Sequence, residues 1–299
     1  MNAPKLDKIY LGDTLSILRR WPDNFVHCVV TSPPYWGLRD YGVPGQIGLE
    51  PTPQEYVTKM VEVLREVRRV LRDDGTLWLN IGDCYAAAVN GSGSGKQLTN
   101  RGTLADGEHQ KPRKEPLGYK PKDLVGIPWT IAFALRADGW YLRRDIIWSK
   151  PNPMPESVID RPTSAHEYLF LLSKSATYYY DADAIKEPST FAPNHSFPDG
   201  WATEGAHDSV EFSKRSRASD KQRGHSRRHT GFNQKLIEPC ILAGSPPGGT
   251  VLDPFMGAGT TALVASRFNR RFLGIELNPK YLDMANKRIA MEVAQQKMF

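Results

Sequence analysis

Residues 249–261 read Gly249-Thr250-Val251-Leu252-Asp253-Pro254-Phe255-Met256-Gly257-Ala258-Gly259-Thr260-Thr261. A short apolar run, a glycine-containing turn and the start of a helix follow one another here. The next strand is predicted at Arg271-Phe272-Leu273-Gly274-Ile275-Glu276. This order is typical of a β-α-β unit that binds a nucleotide at the carboxyl ends of its strands. The segment therefore predicts an α/β fold with a mostly parallel sheet.

The residues around this turn indicate which ligand it binds. Gly257 and Gly259 would let the backbone approach a ligand closely, and Glu276 could accept hydrogen bonds from both hydroxyls of a ribose. Asp253 precedes the glycines, where a carboxylate would repel a pyrophosphate but attract the ammonium group of a methionine tail. The pattern favours S-adenosylmethionine, although Gly257 to Ala262 also satisfies the loose pattern for a nicotinamide dinucleotide.

A second stretch, Thr31-Ser32-Pro33-Pro34-Tyr35-Trp36, follows the apolar run Val26 to Val30. Its two prolines fix φ and remove two amide donors, so the loop offers hydrogen-bond acceptors. We predict that Ser32 Oγ and the Pro33 carbonyl accept hydrogen bonds from an exocyclic amino group, while Tyr35 stacks on the planar base. Taken alone, the stretch is equally consistent with a proline-rich turn that closes a strand.

Composition limits the classes of protein to consider. The 299 residues are 40% hydrophobic and 24% charged, which is typical of a soluble globular protein. Cys28, Cys84 and Cys240 lack paired spacing, so we expect reduced thiols in a cytoplasmic protein and no metal framework. The sequence contains no apolar run long enough to span a bilayer, and we expect no membrane partner.

The basic charge is concentrated in one region. The net charge is +6 and the isoelectric point is near 9.1. Residues 185–232 have few aliphatic side chains and contain a basic run that we predict to contact nucleic acid backbone, together with Arg39. The basic residues of this run are Lys214, Arg215, Arg217, Lys221, Arg223, Arg227 and Arg228. A solvated surface loop is the alternative.

Other segments predict the remaining elements. An amphipathic helix is expected from Gln54 to Leu71, ended by Asp73-Asp74-Gly75, and a strand from Thr76 to Ile81. Strands at Trp140 to Trp148 and Glu167 to Ser173 would form an antiparallel pair at the edge of the sheet. Residues 86–122, rich in Gly, Ser, Lys and Pro, are expected to be a flexible insertion.

Together, the two motifs resemble those of the amino-group DNA methyltransferases in their β-type order, in which the catalytic motif precedes the cofactor motif. The resemblance covers about residues 8–85, 120–180 and 232–291. It implies a Rossmann-like methyltransferase sheet, mostly parallel with an antiparallel edge, and a circularly permuted motif order. Residues 1–184 would be the catalytic part of the methyltransferase domain, 185–232 a target-recognition lobe, and 233–299 the cofactor-binding part of the same domain.

The resemblance also implies roles for individual residues. Catalysis would depend on Ser32, Pro33, Pro34 and Tyr35. The cofactor would be bound by Asp13, Thr31, Lys235, Asp253, Pro254, Phe255, Gly257, Gly259, Thr260, Thr261, Glu276 and Asn278. Asp13 would face the adenine, although its position alone favours a helix N-cap. The family usually has proline after the residue matching Lys235, whereas this chain has Leu236.

The implied reaction moves a methyl group from S-adenosylmethionine to the exocyclic amine of a flipped base in double-stranded DNA. In the family, serine before Pro-Pro-Tyr leans toward cytosine N4, with adenine N6 as the alternative. A cognate restriction enzyme is a candidate partner, and the chain would act as a monomer or homodimer. An RNA methyltransferase, a nicotinamide oxidoreductase and a catalytically silent DNA-binding protein are more distant alternatives.

Overall fold

The computed structural model describes residues 3–86, residues 118–186 except 151, 152, 154, 155 and 157, and residues 233–296. The strands are β1 Lys8–Leu11, β2 Val26–Thr31, β3 Leu71–Ile81, β4 Tyr141–Ser149, β5 His166–Ser173, β6 Thr250–Asp253 and β7 Arg271–Glu276. The helices are α1 Thr14–Leu18, α2 Pro53–Val70, α3 Ile127–Ala137, α4 Gln234–Gly244, α5 Thr260–Arg267 and α6 Pro279–Gln296, and a short 3-10 helix covers Asp183–Ile185.

All seven strands form one sheet in the order β1-β7-β6-β2-β3-β5-β4. Every neighbouring pair from β1 to β3 is parallel, and β5 is antiparallel to both β3 and β4. The predicted antiparallel pair at the edge is therefore confirmed. Cys28 of β2 pairs with Val251 of β6, so two motifs that are far apart in the sequence lie on adjacent strands.

Helices cover both faces of the sheet because successive strand residues point to opposite sides. On one face, Val29 and Leu77 pack in a hydrophobic cluster with α2 and α3. On the other face, Val30 and Trp78 pack in a second cluster with α4 and α5. The result is a three-layer α/β arrangement whose ligand site is expected at the carboxyl ends of the parallel strands.

The junction between α2 and β3 differs from the prediction. Helix α2 ends at Val70, and β3 begins at once with Leu71 instead of at Thr76. Val26 pairs with Leu71 and Cys28 pairs with Thr76, so residues 72–75 bulge out of the ladder instead of forming a separate turn. Leu71 is fully buried, and a Cβ at Gly75 would lie 2.6 Å from its Cγ, so glycine lets the chain fold back over it.

The predicted insertion has ordered ends. The amide of Ala86 donates to the carbonyl of Asp123 at 2.8 Å, and the amide of Lys122 donates to the carbonyl of Ala86 at 3.0 Å. Residues 87–117 and 187–232 lie outside the described residues, and with them lies most of the predicted recognition lobe. Among the described helices, none combines the length and the apolar character needed to cross a membrane.

Candidate active site

The two sequence motifs meet at a buried carboxylate. The Thr31 hydroxyl at the end of β2 donates to Asp253 Oδ1 at 2.6 Å, and the Thr261 hydroxyl donates to Oδ2 at 2.7 Å. The amide of Phe255 also donates to Oδ1, at 3.0 Å. Asp253 is only 2% exposed. These bonds join β2, β6 and α5, and they confirm that Thr31, Asp253 and Thr261 are close together.

Burial dominates the electrostatics of Asp253. Desolvation raises the pKa of this carboxyl from its ordinary 3.8 to about 6, although the hydrogen bonds from Thr31, Thr261 and Phe255 act to lower it. The carboxylate is therefore a negative charge held beneath the glycine turn at some cost in free energy. That its charge attracts an ammonium group remains a prediction.

Glu276 holds the glycine turn from the neighbouring strand. Its carboxylate accepts hydrogen bonds from the amides of Gly257 and Asn278, each at 2.7 Å. Burial raises the pKa of Glu276, while these amide bonds lower it. Asn278 in turn accepts a hydrogen bond from the amide of Lys280 at 2.9 Å, at the start of α6. Glu276 thus lies where a carboxylate could meet a ribose at the end of β7.

The two glycines of the turn have different reasons for being glycine. Gly257 has φ of +53°, and a Cβ there would meet nothing closer than the Phe255 carbonyl at 3.9 Å. Gly259 has φ of +80°, and a Cβ there would lie 2.8 Å from the Cβ of Ala285. The open side of the turn is therefore at Gly257, whereas Gly259 allows α6 to pack closely.

Helix α1 supports the same edge of the sheet. Asp13 Oδ1 accepts a hydrogen bond from the amide of Ser16 at 2.8 Å, which confirms Asp13 as the N-cap of α1. The Thr14 hydroxyl donates to the carbonyl of Pro254 at 2.7 Å. The amide of Gly12 donates to the carbonyl of Glu276 at 2.9 Å, so Asp13 lies beside the end of β7. A contact between Asp13 and adenine remains a prediction.

The beginning of α4 and the side of α6 complete the surroundings of the turn. Lys235 lies in the first turn of α4, where its amide donates to Asn233 Oδ1 at 3.0 Å. Leu236, which replaces the family's proline, is 2% exposed and packs in the second cluster. Arg288 of α6 donates to the carbonyl of Ala258 at 2.5 Å. Arg288 could not be predicted from the sequence, where it is simply a basic residue in a helical segment.

These surroundings fit S-adenosylmethionine. Asp253 gives a buried negative charge under the turn, Gly257 leaves the backbone open, and Glu276 presents a carboxylate at the next strand end. The individual cofactor contacts predicted from the sequence remain predictions. Pro254, Phe255 and Thr260 lie in or beside the turn, since Pro254 is held by Thr14 and the hydroxyl of Thr260 lies 3.5 Å from Arg288.

The predicted catalytic loop, Ser32 to Tyr35, is fixed by its neighbours. The Tyr56 hydroxyl of α2 donates to the Pro34 carbonyl at 2.8 Å, and Trp36 Nε1 donates to the carbonyl of Glu50 at 2.9 Å. Among the described residues, no donor is hydrogen-bonded to the Pro33 carbonyl, and Pro33 is buried. Ser32 is partly exposed. The roles of Ser32 Oγ and the Pro33 carbonyl as acceptors for a substrate amine remain predictions.

The Tyr35 side chain has an environment that the sequence did not reveal. A Cβ at Gly82 would lie 2.8 Å from Tyr35 Cε2, so Gly82 makes room for the ring. The Tyr35 hydroxyl lies 2.7 Å from Glu167 Oε2 and 3.1 Å from Asn80 Oδ1, and the other oxygen of Glu167 forms an ion pair with Lys150. Burial, and then the charge of Glu167, raise the pKa of Tyr35.

Asn80, Lys150 and Glu167 were missed because their signal depends on strand direction. Lys150 follows β4, Asn80 lies near the end of β3, and Glu167 lies near the start of β5. Since β5 runs antiparallel to its neighbours, its first residues reach the edge where the other strands end. Polar side chains at that edge would have been the available clue.

The loop after Tyr35 reaches toward α6. The Tyr41 ring packs edge-on against Tyr281 with ring centroids 5.9 Å apart. The amide of Tyr41 donates to Gln46 Oε1 at 2.7 Å, and Gln46 Nε2 donates to the carbonyl of Arg39 at 3.0 Å. Arg39 is exposed, and its contact with DNA remains a prediction. The basic run Lys214 to Arg228 lies outside the described residues.

Comparisons with known proteins agree with this geometry. A family model described as DNA methylase, N6_N4_Mtase, matches residues 26–287. The Type II methyltransferase M.Cfr9I of Citrobacter freundii is 45% identical over 295 residues, covering 95% of this chain and 88% of the relative. The Type II methyltransferase M.SmaI of Serratia marcescens is 45% identical over 286 residues, covering 94% and 90%.

Solved structures show the same fold. A DNA modification methylase of Thermus thermophilus, TTHA0409, in complex with S-adenosyl-L-methionine, superposes with a TM-score of 0.58 at 27% identity and covers 95% of both chains. The cytosine-N4-specific PvuII DNA methyltransferase superposes with a TM-score of 0.62 at 20% identity, covering 95% of this chain and 86% of its own. The chain therefore belongs to the N6/N4 DNA methylase family and is an S-adenosylmethionine-dependent DNA amino-methyltransferase.

Proposed function

We propose that this enzyme methylates the exocyclic N4 amine of a cytosine in double-stranded DNA. The observation that carries the proposal is the loop at the end of β2, where Ser32 Oγ and the Pro33 carbonyl stand beside the buried Thr31–Asp253 contact. In the family, serine at the position of Ser32 is more often found in enzymes that methylate cytosine. Adenine N6 is the alternative target.

The chemistry requires two well-placed acceptors. The exocyclic amine of a base is a poor nucleophile because its lone pair is delocalised into the ring. Hydrogen bonds from that amine to Ser32 Oγ and the Pro33 carbonyl would draw its hydrogens out of the ring plane and localise the lone pair on nitrogen. The anchoring of Pro34 by Tyr56 keeps these acceptors in a fixed orientation.

The methyl donor belongs at the adjacent strand ends. When bound, S-adenosylmethionine supplies an electrophilic methyl group on its sulfonium. Glu276 would hold the ribose, Asp13 would lie at the adenine, and Lys235 would help to hold the methionine carboxylate. The other predicted contacts with S-adenosylmethionine would come from the glycine turn, which Asp253 and Thr261 support. Thr31 links this turn directly to Ser32, so the donor and the amine would meet at neighbouring strands.

The DNA must deform for the base to reach this site. The amine of a paired base lies inside the duplex, so the target nucleotide would flip out and its ring would stack on Tyr35. Arg39 and the basic residues between Lys214 and Arg228 would hold the phosphates on either side. M.Cfr9I and M.SmaI are Type II methyltransferases, which supports a restriction enzyme of the same specificity as a partner of this monomeric or homodimeric enzyme.

Nucleoside analysis tests the proposal. The purified enzyme is incubated with unmethylated duplex DNA and isotope-labelled S-adenosylmethionine, and the digested DNA is examined by mass spectrometry. We expect N4-methylcytosine from the parent enzyme, and we expect Ser32→Ala to form it about 100-fold more slowly. Labelled N6-methyladenine would move the target to adenine. No labelled nucleoside from an enzyme that binds the cofactor would refute duplex DNA as the substrate.

A further inference from the structure

A polar chain connects the catalytic loop to the antiparallel edge of the sheet. Ser149 of β4 pairs with His166 of β5, and Trp148 pairs with Glu167. Lys150 and Glu167 therefore reach the same edge as Ser32 and Tyr35 of the catalytic loop, where they form an ion pair. The Glu167 side chain is 13% exposed and the Lys150 side chain 33%. This pair has no role in the predicted cofactor or phosphate contacts.

The hydrogen bonds among these side chains all donate in the same direction, from Ser32 through Tyr35 to Glu167. A carboxylate can only accept, so the Tyr35 hydroxyl at 2.7 Å must donate to Glu167 Oε2. Asn80 Oδ1 also lies within reach at 3.1 Å, but the charged acceptor is closer and forms the stronger bond. With its hydrogen directed to Glu167, the Tyr35 oxygen accepts from the Ser32 hydroxyl, 3.3 Å away.

The direction of the Ser32 hydrogen matters for the reaction. A serine hydroxyl has one hydrogen and two lone pairs. If the hydrogen pointed at the substrate, it would face the hydrogens of the amine and the oxygen could not accept them well. With the hydrogen directed to Tyr35, both lone pairs are available to the amine. The contact of 3.3 Å is long for hydroxyls, and bonds between catalytic groups commonly shorten when substrate binds.

The ion pair with Lys150 stabilises the negative charge of Glu167, the last acceptor in this series of hydrogen bonds. Its ammonium donates to Glu167 Oε1, so the two oxygens of the carboxylate serve Lys150 and Tyr35 separately. A neutral amide at this position would offer one acceptor oxygen and one donor group, so it could not accept a hydrogen bond from Lys150 on one atom and from Tyr35 on the other. The ion pair therefore specifies an acceptor at Tyr35 and, through it, the orientation of the Ser32 hydroxyl.

We propose that Glu167, paired with Lys150, is a positioning residue that acts through Tyr35 to keep the lone pairs of Ser32 directed at the substrate amine. The inference rests on the proposed role of Ser32 and holds for cytosine or adenine. It assigns the Tyr35 hydroxyl a function separate from the stacking of its ring. This role requires no proton transfer from Ser32 or Tyr35.

The test compares Glu167→Gln with Tyr35→Phe and the double variant. We expect each single variant to lower kcat about 10-fold or more, the loss of one well-placed hydrogen bond in the transition state, with the Kd values for S-adenosylmethionine and DNA changed less than about 2-fold. Because both changes break one chain, the double variant should be no slower than the slower single variant. Losses that multiply would show that Glu167 acts independently of Tyr35 and would overturn the inference.

Two further variants separate the explanations. Glu292→Gln is the matched control, since Glu292 is 17% exposed and ion-paired with Arg267 on α5, and it should keep the parent kcat. Loss of cofactor binding would show that Glu167→Gln does not fold. In that case Tyr35→Phe alone tests the inference, and an unchanged kcat in Tyr35→Phe would overturn it. Ser32→Ala tests the underlying function: an inactive Ser32→Ala beside a fully active Glu167→Gln would refute only the positioning role, whereas an active Ser32→Ala would refute the proposed site.

Discussion

Replacement of Asp253 by asparagine should make the fold more stable and the enzyme worse at binding its cofactor. The Asp253 carboxylate accepts three hydrogen bonds and is 2% exposed. An asparagine oxygen can keep the bonds from Thr31 and Phe255. Its amide nitrogen can donate to Thr261, whose hydroxyl then turns to the Val30 carbonyl, now 3.3 Å away. The substitution therefore removes the charge while keeping a satisfied network.

The magnitude follows from the pKa. Burial raises the pKa of Asp253 from 3.8 to about 6, and one pKa unit corresponds to about 1.4 kcal/mol. The folded state binds this proton more tightly than the unfolded state does, so the contribution of Asp253 to stability is fully present below pH 3.8 and is lost as the pH rises through about 6. At pH 8 the parent should be less stable than Asp253→Asn by at most about 3 kcal/mol.

Urea unfolding at several pH values measures this difference. The free energy of unfolding of Asp253→Asn should exceed that of the parent at pH 8, and the difference should shrink steadily as the pH falls from about 6 toward 4. Asp283→Asn, at an exposed position on α6, is the control and should follow the parent at every pH. Equal stabilities of parent and Asp253→Asn at pH 8 would refute a buried charge at this position.

Cofactor binding completes this prediction. If the charge of Asp253 attracts the ammonium group, calorimetric titration with S-adenosylmethionine at pH 8 should show binding about 10-fold or more weaker in Asp253→Asn. The parent should approach the weaker affinity as the pH falls below about 6, whereas Asp253→Asn should not change in that range. An unchanged Kd in a more stable variant would assign Asp253 a purely structural role.

Three other substitutions test the remaining parts of the site. Ser32→Ala should lower kcat by about 100-fold in a methyl-transfer assay while calorimetry shows cofactor binding unchanged, because it removes an acceptor used in the transition state. Gly82→Ala should lower kcat about 10-fold or more in the same assay, since its Cβ would lie 2.8 Å from Tyr35 Cε2; parental kcat would show that the ring can shift without effect. Gly259→Ala should lower the free energy of unfolding by about 1–3 kcal/mol in urea, because φ is +80° and its Cβ would lie 2.8 Å from that of Ala285. Adding Ala285→Gly should restore part of that loss, and no recovery would place the cost in the backbone alone.

The sequence predicted most of the fold because its patterns are local. The apolar runs that end at Thr31 and Asp253 are strands, and the residues that follow them form the predicted turns. The junction at Leu71 was predicted wrongly because the polar run Asp73-Asp74-Gly75 is typical of a turn, whereas burial of Leu71 against β2 starts the strand earlier. Tertiary packing there outweighed a local turn signal.

The site was predicted less completely because part of it depends on strand direction. Asp253 and Glu276 could be found from motifs in which a strand, a turn and a helix follow one another. The role of Gly259 in packing against Ala285 could not, since Gly259 precedes α5, Ala285 lies in α6, and the contact between them is set by the whole fold. Glu167 lies at the start of a strand, a position that points away from the ligand edge in a parallel sheet.

The pairing of β2 with β6 explains how the permuted motif order can work. The catalytic loop precedes the cofactor turn by more than half of the chain, yet the pairing of β2 with β6 places Thr31 within hydrogen-bonding distance of Asp253. Strands β3, β5 and β4 then extend the sheet on the other side of β2, and the pairing of β4 with β5 brings Lys150 and Glu167 to Tyr35. Ser32 is thus flanked by the Thr31–Asp253 contact on one side and by the Lys150–Glu167 ion pair on the other. Because adjacency in the sheet, and not order along the chain, sets these contacts, the same site can be assembled from any permutation that preserves the strand order.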